Sequence, residues 1–164
     1  MIKRSLGQIA HMIGGKLSDE NFKDLVIEGI STDSRTISKN NLYIPLVGEV
    51  FDGRIFIKEC EDKGASAFFI DNEYDIKKNI NIPYIRVEDT EEALRDLARA
   101  YRDELDIKII GITGSNGKTT TKDLLSSVLS KKYKVQKTIG NLNNQIGVPK
   151  TILSLEEDTQ IGVI

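Results

Sequence analysis

A chain of 164 residues has room for one domain or two small ones, and 39% hydrophobic with 29% charged residues is the composition of an ordinary globular protein. The net charge of −2 provides no basic field for nucleic acid, and no apolar run approaches the ~18 residues of a membrane-spanning helix. The single cysteine, Cys60, excludes an internal disulfide framework and fits a reducing, cytoplasmic setting.

The basic start Met1-Ile2-Lys3-Arg4 is followed by Gln8, His11 and two glycines, which is not a signal-peptide core. Ser5 to Ile13 is predicted as a helix, with Ser5 as N-cap, Leu6, Ile9, Ala10 and Ile13 on one face, and Gly14-Gly15 as its stop. His11 has no Cys, Asp or Glu cluster beside it in sequence and is given no role. Leu25 to Ser31 reads as a strand, and Thr32-Asp33-Ser34-Arg35 follows at its end. That segment is either a plain Asx turn or a loop cluster that reads an anion and a ribose, with spacing favouring the turn. Leu42 to Leu46 is a further strand, Gly48 to Gly53 a glycine-bracketed loop, and Arg54 to Lys63 a helix closed by Gly64. Strands follow at 65–70 and 83–87. Thr90 is expected to cap a long helix to about Leu105, with Leu94, Leu97, Ala98, Tyr101 and Leu105 as its buried stripe.

An apolar run from Ile107 to Ile112 then predicts a buried strand, and Gly114-Ser115-Asn116-Gly117 a turn. A helix is predicted from Thr119 to Lys131, with Leu124, Leu125, Val128 and Leu129 as an apolar stripe. Strand, glycine-rich turn, Lys-Thr and helix make the layout of a phosphate-binding loop. Glycines allow the left-handed backbone that turns successive N–H groups inward. The helix N-terminus adds partial positive charge. Gly114, Ser115, Asn116, Gly117, Lys118, Thr119 and Thr120 are the candidate nucleotide-binding residues. Lys118 is positioned to reach the β- and γ-phosphates as the catalytic group, and the Thr119 hydroxyl to ligate magnesium. The strict loop pattern wants glycine where Ile112 stands, with Gly111 one place early. The lysines after Lys118, beginning with Lys122, read as a solvated helix face. A strand over 133–137, a polar loop over 138–149, a helix from Thr151 and a strand from Gln160 complete the chain.

The fold class expected is α/β: a small N-terminal α/β unit, residues 1–106, with a core of its own, then the start of a P-loop-type parallel sheet over 107–164. The acid that a P-loop enzyme places at the end of a neighbouring strand is expected past Ile164, in a longer protein.

These residues resemble the Mur ligase family. Gly114-Ser115-Asn116-Gly117-Lys118-Thr119-Thr120 is similar to that family's nucleotide loop, which also lacks the glycine at the place of Ile112. Three further segments sharpen the resemblance: Ser31 to Arg35; Leu42 to Glu49 with Phe51-Asp52-Gly53; and Gly140 to Pro149. Within the family they look most like the member that joins D-alanyl-D-alanine to UDP-N-acetylmuramoyl-tripeptide, with the member that adds the third amino acid as the near alternative. The family pattern carries His where this chain has Arg54. The resemblance implies ATP and Mg2+ as cofactors, an acyl-phosphate intermediate, a cytoplasmic monomer, and no nucleic acid or membrane partner. It assigns Ser31, Asp33, Ser34 and Arg35 to the UDP-sugar site and sets Asn141 and Asn144 between nucleotide and substrate. It also implies that these 164 residues alone do not turn over. Two other classes stay open: a P-loop switch or motor, and a binding module without catalysis.

Overall fold

The structure is a computed structural model and describes residues 1–76, 79–140, 142 and 144–164. In chain order its elements are β1 (Lys3–Ser5), α1 (Leu6–Met12), β2 (Lys16–Leu17), β3 (Val26–Glu28), β4 (Ile30–Ser31), β5 (Leu42–Tyr43), α2 (Ile57–Asp62), β6 (Ala67–Ile70), β7 (Tyr84–Arg86), α3 (Thr90–Glu104), β8 (Lys108–Ile110), α4 (Lys118–Leu129), β9 (Val135–Lys137), α5 (Gly147–Ser154) and β10 (Ile161–Val163). Short 3-10 turns occupy Glu20–Phe22 and Gly53–Phe56.

Three sheets form. A five-stranded sheet has the order β2-β7-β6-β5-β4; its strands run parallel except β2, which is antiparallel to β7. β1 and β3 make an antiparallel pair, and β8-β10-β9 is a parallel three-stranded sheet. The strand expected over 25–31 divides at Gly29, whose φ of 83° turns the chain from the β1 pairing into the β5 pairing. β6 is buried along its whole length, as a central parallel strand must be. Its alternation sends Phe69 to one face and Phe68 and Ile70 to the other. The second face is closed by Ile57 and Cys60 of α2.

Local chemistry explains the helices. Ser5 and Gln8 form a reciprocal capping box at the start of α1. α3 buries Leu94, Leu97, Ala98 and Tyr101 as expected. Its cap is Asp89 rather than Thr90: the Asp89 carboxylate accepts from the Glu92 N–H at 2.6 Å. Thr90 is the first helical residue, and its buried hydroxyl donates to the Pro45 carbonyl at 2.6 Å, tying α3 to the chain after β5.

Residues 1–106 enclose one apolar cluster entirely, Ile37, Tyr43, Ile57, Cys60, Ala65, Phe68 and Ile70, and share a second with the rest of the chain. The shared cluster runs from Ile2, Leu6 and Ile9 through Leu94, Leu97 and Tyr101 to Leu105, Ile107, Leu153 and Leu155. α5 lies against α3, and the Tyr101 hydroxyl donates to the Leu155 carbonyl at 3.0 Å. The sheets part at residue 106 and the core does not. The reason is α5, which packs against α3 and brings Leu153 and Leu155 into the cluster.

The second part also differs in detail. The strand expected over 107–112 is regular only at β8, with Ile107 buried and Lys108 exposed. α5 begins at Gly147, four residues before the expected Thr151, which shortens the polar loop. Pro149 is accommodated in its first turn, where a missing N–H costs little. The apolar stripe expected on α4 is only partly covered: Leu125 and Leu129 are half-buried, while Leu124 is 64% and Val128 69% exposed. The residues α4 buries are Lys122 and Ser126.

Candidate nucleotide site

β8 runs parallel to β10 and delivers the chain to the loop at the sheet's C-terminal edge. Past β8 the pairing continues for one more step: the Ile112 N–H donates to the Ile164 carbonyl at 2.7 Å, and the Ile164 N–H to Ile110 at 2.9 Å. Residues 111–117 then lie outside any regular element, and α4 starts at Lys118. Gly114 (φ 145°) and Gly117 (φ 77°) occupy backbone that residues with a Cβ rarely adopt. Gly117 precedes α4 with no side-chain cap, so the first N–H groups of the helix face outward. A Cβ at Gly111 would meet nothing within 4 Å, so the glycine one place early in the pattern is not needed for close packing here.

Lys118 folds back over the loop and donates to the Gly114 carbonyl. A cleft opens beside it, lined by Ile112, Lys118, Thr119, Lys122, Thr138, Gly140 and Ile164. Its polar lining is ammonium, hydroxyl and backbone, with no side-chain carboxylate among the described residues, and the two ammonium groups and two hydroxyls can donate to an anion. Lys122 is buried at 8% exposure, contrary to the solvated face expected for it. Its Nζ donates to the carbonyls of Thr138 at 2.8 Å and Gly140 at 3.1 Å. The Lys118–Lys122–Ser126 spacing of four was the signal available: one face, and that face turns to the sheet. Thr138, directly after β9, was not singled out by the sequence at all, and a lone threonine in a polar loop carries no pattern.

The Ser31–Arg35 segment lies elsewhere and does not line this cleft. The Arg35 N–H donates to Asp33 Oδ1 at 2.9 Å, which is the Asx turn that spacing favoured. The Arg35 guanidinium also forks onto the Asp33 carboxylate, Nε to Oδ1 at 2.9 Å and Nη2 to Oδ2 at 2.6 Å. That side-chain pairing, with the Arg35 N–H, holds the Asp33 carboxyl down to about 2. The Ser31 hydroxyl is buried and used within the turn, donating to the Asp33 carbonyl and accepting from the Asp33 N–H. Ser34 is buried, and its carbonyl takes a hydrogen bond from Lys63. Within the Ser31–Arg35 turn, then, Arg35 presents a largely exposed side chain. Asn141 lies outside the described residues. Asn144 holds the start of α5: its Oδ1 accepts from the Gly147 N–H at 2.7 Å, and its carbonyl from the Val148 N–H at 3.1 Å. A second cleft, lined by Ile30, Lys137, Ile139, Leu142, Lys150 and Ser154 among others, separates the β4 side of the molecule from α5.

Arg54, the departure from the family pattern, is a structural clasp. Its guanidinium bridges Asp52 at 2.9 Å and Asp71 at 3.0 Å and lies over the Tyr74 ring at 5.3 Å.

A glycine-rich loop between a parallel strand and a helix, joined to a small α/β unit, defines a P-loop-type nucleotide-binding protein with an appended N-terminal domain. The comparison with known proteins narrows this class. A model described as the Mur ligase family, catalytic domain, matches residues 26–102, and the Mur ligase middle domain matches residues 112–164. The chain belongs to the Mur ligase family. It is 44% identical over its whole length to the UDP-N-acetylmuramoyl-tripeptide--D-alanyl-D-alanine ligase of Bacillus subtilis, and covers 36% of that protein. The crystal structure of MurF from Acinetobacter baumannii superposes with a TM-score of 0.90 at 32% identity, over 100% of this chain and 35% of that one. MurF ligase from Thermotoga maritima in complex with ADP gives 0.69 at 32% identity, over 83% of this chain and 31% of that one. The chain spans about a third of the length of the curated relatives it matches.

Proposed function

We propose that this chain is the nucleotide-loop and UDP-substrate portion of an ATP-dependent amide ligase, which adds D-alanyl-D-alanine to UDP-N-acetylmuramoyl-tripeptide in the cytoplasm. The single observation that carries the proposal is the loop 114–118, set between β8 and α4 with Lys118 and Thr119 at the mouth of an anion-suited cleft. The sequence likeness to the tripeptide–dipeptide ligases, and the ADP complex of one similar structure, support ATP as the nucleotide. In the reaction, ATP phosphorylates the tripeptide carboxylate and the dipeptide amine attacks the acyl phosphate, releasing phosphate. Lys118 exchanges the Gly114 carbonyl for the phosphate oxygens and stabilises charge on the group in transfer. The loop N–H groups and the α4 N-terminus hold the same oxygens in place. Magnesium would be held from the protein by the Thr119 hydroxyl, which lines the cleft. Bound there, the ion neutralises charge on the β- and γ-phosphates. Arg35 is the residue of the Ser31–Arg35 turn available to a UDP-sugar, and the family resemblance assigns Asn141 and Asn144 between nucleotide and substrate.

A second reading is a binding module that holds nucleotide or UDP-substrate without turnover, working as a monomer. The observation in its favour is that no side-chain carboxylate lines the cleft among the described residues. Titration calorimetry with ATP and magnesium tests the site common to both. Lys118→Ala should weaken ATP by roughly 10- to 100-fold, the worth of a charged hydrogen bond; equal affinity refutes the site. Phosphate release with ATP, tripeptide substrate and dipeptide separates ligase from module.

A further inference from the structure

Two side chains in the nucleotide cleft are left without a role by the reading above. The Thr138 hydroxyl is fully buried and finds no hydrogen-bond partner among the described residues, the one such buried side-chain atom there. Thr138 is 4% exposed, follows β9 directly, and is fixed by its N–H donating to the Val163 carbonyl at 2.9 Å. A buried hydroxyl left unpaired costs free energy, so a threonine held this firmly marks a place where something else completes the bond. The second is Lys122. Its ammonium has three donors, and two are used, on the carbonyls of Thr138 and Gly140. The acid next to it in sequence, Asp123, is paired with Lys137 at 2.6 Å. No described carboxylate pairs with Lys122, so its desolvation is offset by carbonyls alone, whereas buried cations ordinarily sit beside an anion. Both residues line the cleft that Lys118 and Thr119 open onto. An anion in that cleft satisfies the hydroxyl and the cation together.

We propose that Thr138 and Lys122 form a second phosphate-binding wall opposite the glycine loop. The Thr138 hydroxyl donates to a phosphate oxygen of a nucleoside triphosphate, and Lys122 is the positioning residue that holds Thr138 in place through its backbone carbonyl. This rests on the nucleotide site proposed above and adds to it the loop that follows β9. The 138–140 segment then registers phosphate occupancy and is mechanically tied to α4 one turn below Lys118.

The test is titration of the chain with ATP across five forms: wild type, Lys118→Ala, Thr138→Val, Thr138→Ser and Lys122→Met. Thr138→Val keeps the shape and removes the hydroxyl; it should weaken ATP roughly tenfold. Thr138→Ser restores the donor and should stay within about twofold of wild type. Lys122→Met should also weaken ATP. Because it acts through Thr138, the double variant should lose no more than the larger single loss. Full additivity overturns the positioning role. A Thr138→Val affinity equal to wild type, or a Ser variant as weak as the Val variant, overturns the phosphate contact. If Thr138→Val does not fold, the Thr138 methyl resonance of wild type decides. It should shift on adding ATP and stay put on adding adenosine, and a methyl blind to ATP overturns the proposal. Loss of binding in Lys118→Ala with none in Thr138→Val sinks this inference alone; wild type that ignores ATP sinks both it and the site.

Discussion

Replacing Tyr101 in two ways separates what its ring does from what its hydroxyl does. Tyr101 is completely buried in α3, and its hydroxyl donates to Leu155 beyond the far end of α5. The Leu155 carbonyl also accepts from the Met1 ammonium at 2.6 Å, so Tyr101→Phe leaves that acceptor satisfied. The cost is then that of one neutral hydrogen bond without an orphaned partner, about 0.5–1 kcal/mol. Tyr101→Ala removes a whole buried aromatic ring, for about 3–5 kcal/mol. It also removes the face under the Arg4 guanidinium, 5.4 Å from the ring centre, worth a further ~0.5–1 kcal/mol. Against a total stability of about 5–15 kcal/mol this is a large fraction. Because the core is continuous through residue 106, the loss should be felt by both halves. Urea unfolding followed by far-UV circular dichroism measures the two costs, and hydrogen exchange locates them. The Ala variant should lose protection in β8 and β10 as well as in β6. Exchange faster only in residues 1–106, with β8–β10 unchanged, would show that the shared cluster does not couple the two parts.

Three further outcomes are expected. The Asp33 carboxyl, lowered to about 2 from an ordinary 3.8, contributes stability that is present above the ordinary value and lost as pH falls through about 2. Carboxyl NMR should find its midpoint there and see it climb in Arg35→Gln, and an unmoved midpoint would mean the fork is not the cause. Asn144→Ala should cost about 0.5–2 kcal/mol through fraying of α5, as for a lost helix cap; no change in melting temperature would leave the side chain free for another duty. Burial pushes the Cys60 thiol up to about 12, so alkylation at pH 8 should be slow in the folded protein and fast in urea, and equal rates would contradict its place on the buried face of α2.

The parts legible from sequence were those where one residue type answers one local demand. Gly114 and Gly117 stand where the backbone needs positive φ, and the Leu94–Tyr101 stripe stands where a long helix meets a sheet. Asp89 as the α3 cap was also readable, since it stands three residues before Glu92 while Thr90 stands three before Ala93. The α4 stripe misled because periodicity counts apolar residues but does not say which face has a neighbour. The carbonyls of Thr138 and Gly140 decided that face for Lys122, and they lie 16 and 18 residues away. β1 and β2 are three and two residues long, too short for any alternation to register. The joining of the two halves was invisible for the same reason, because it depends on where α5 packs. On the substrate side the names of Ser31 and Ser34 were readable but their burial was not, and burial turns both inward to the turn itself.

The Ile2 N–H donates to the Leu153 carbonyl at 2.7 Å, and Arg4 pairs with Glu157 at 2.6 Å. During synthesis Ile2 and Arg4 therefore wait for partners about 150 positions later. At ~5–20 residues per second that interval is on the order of ten seconds. Throughout it Ile2, Leu6 and Ile27 lack part of their covering. A nascent chain in this condition exposes apolar surface to self-association, and a pause codon placed before residue 150 should reduce the yield of soluble protein more than the same pause placed before residue 90.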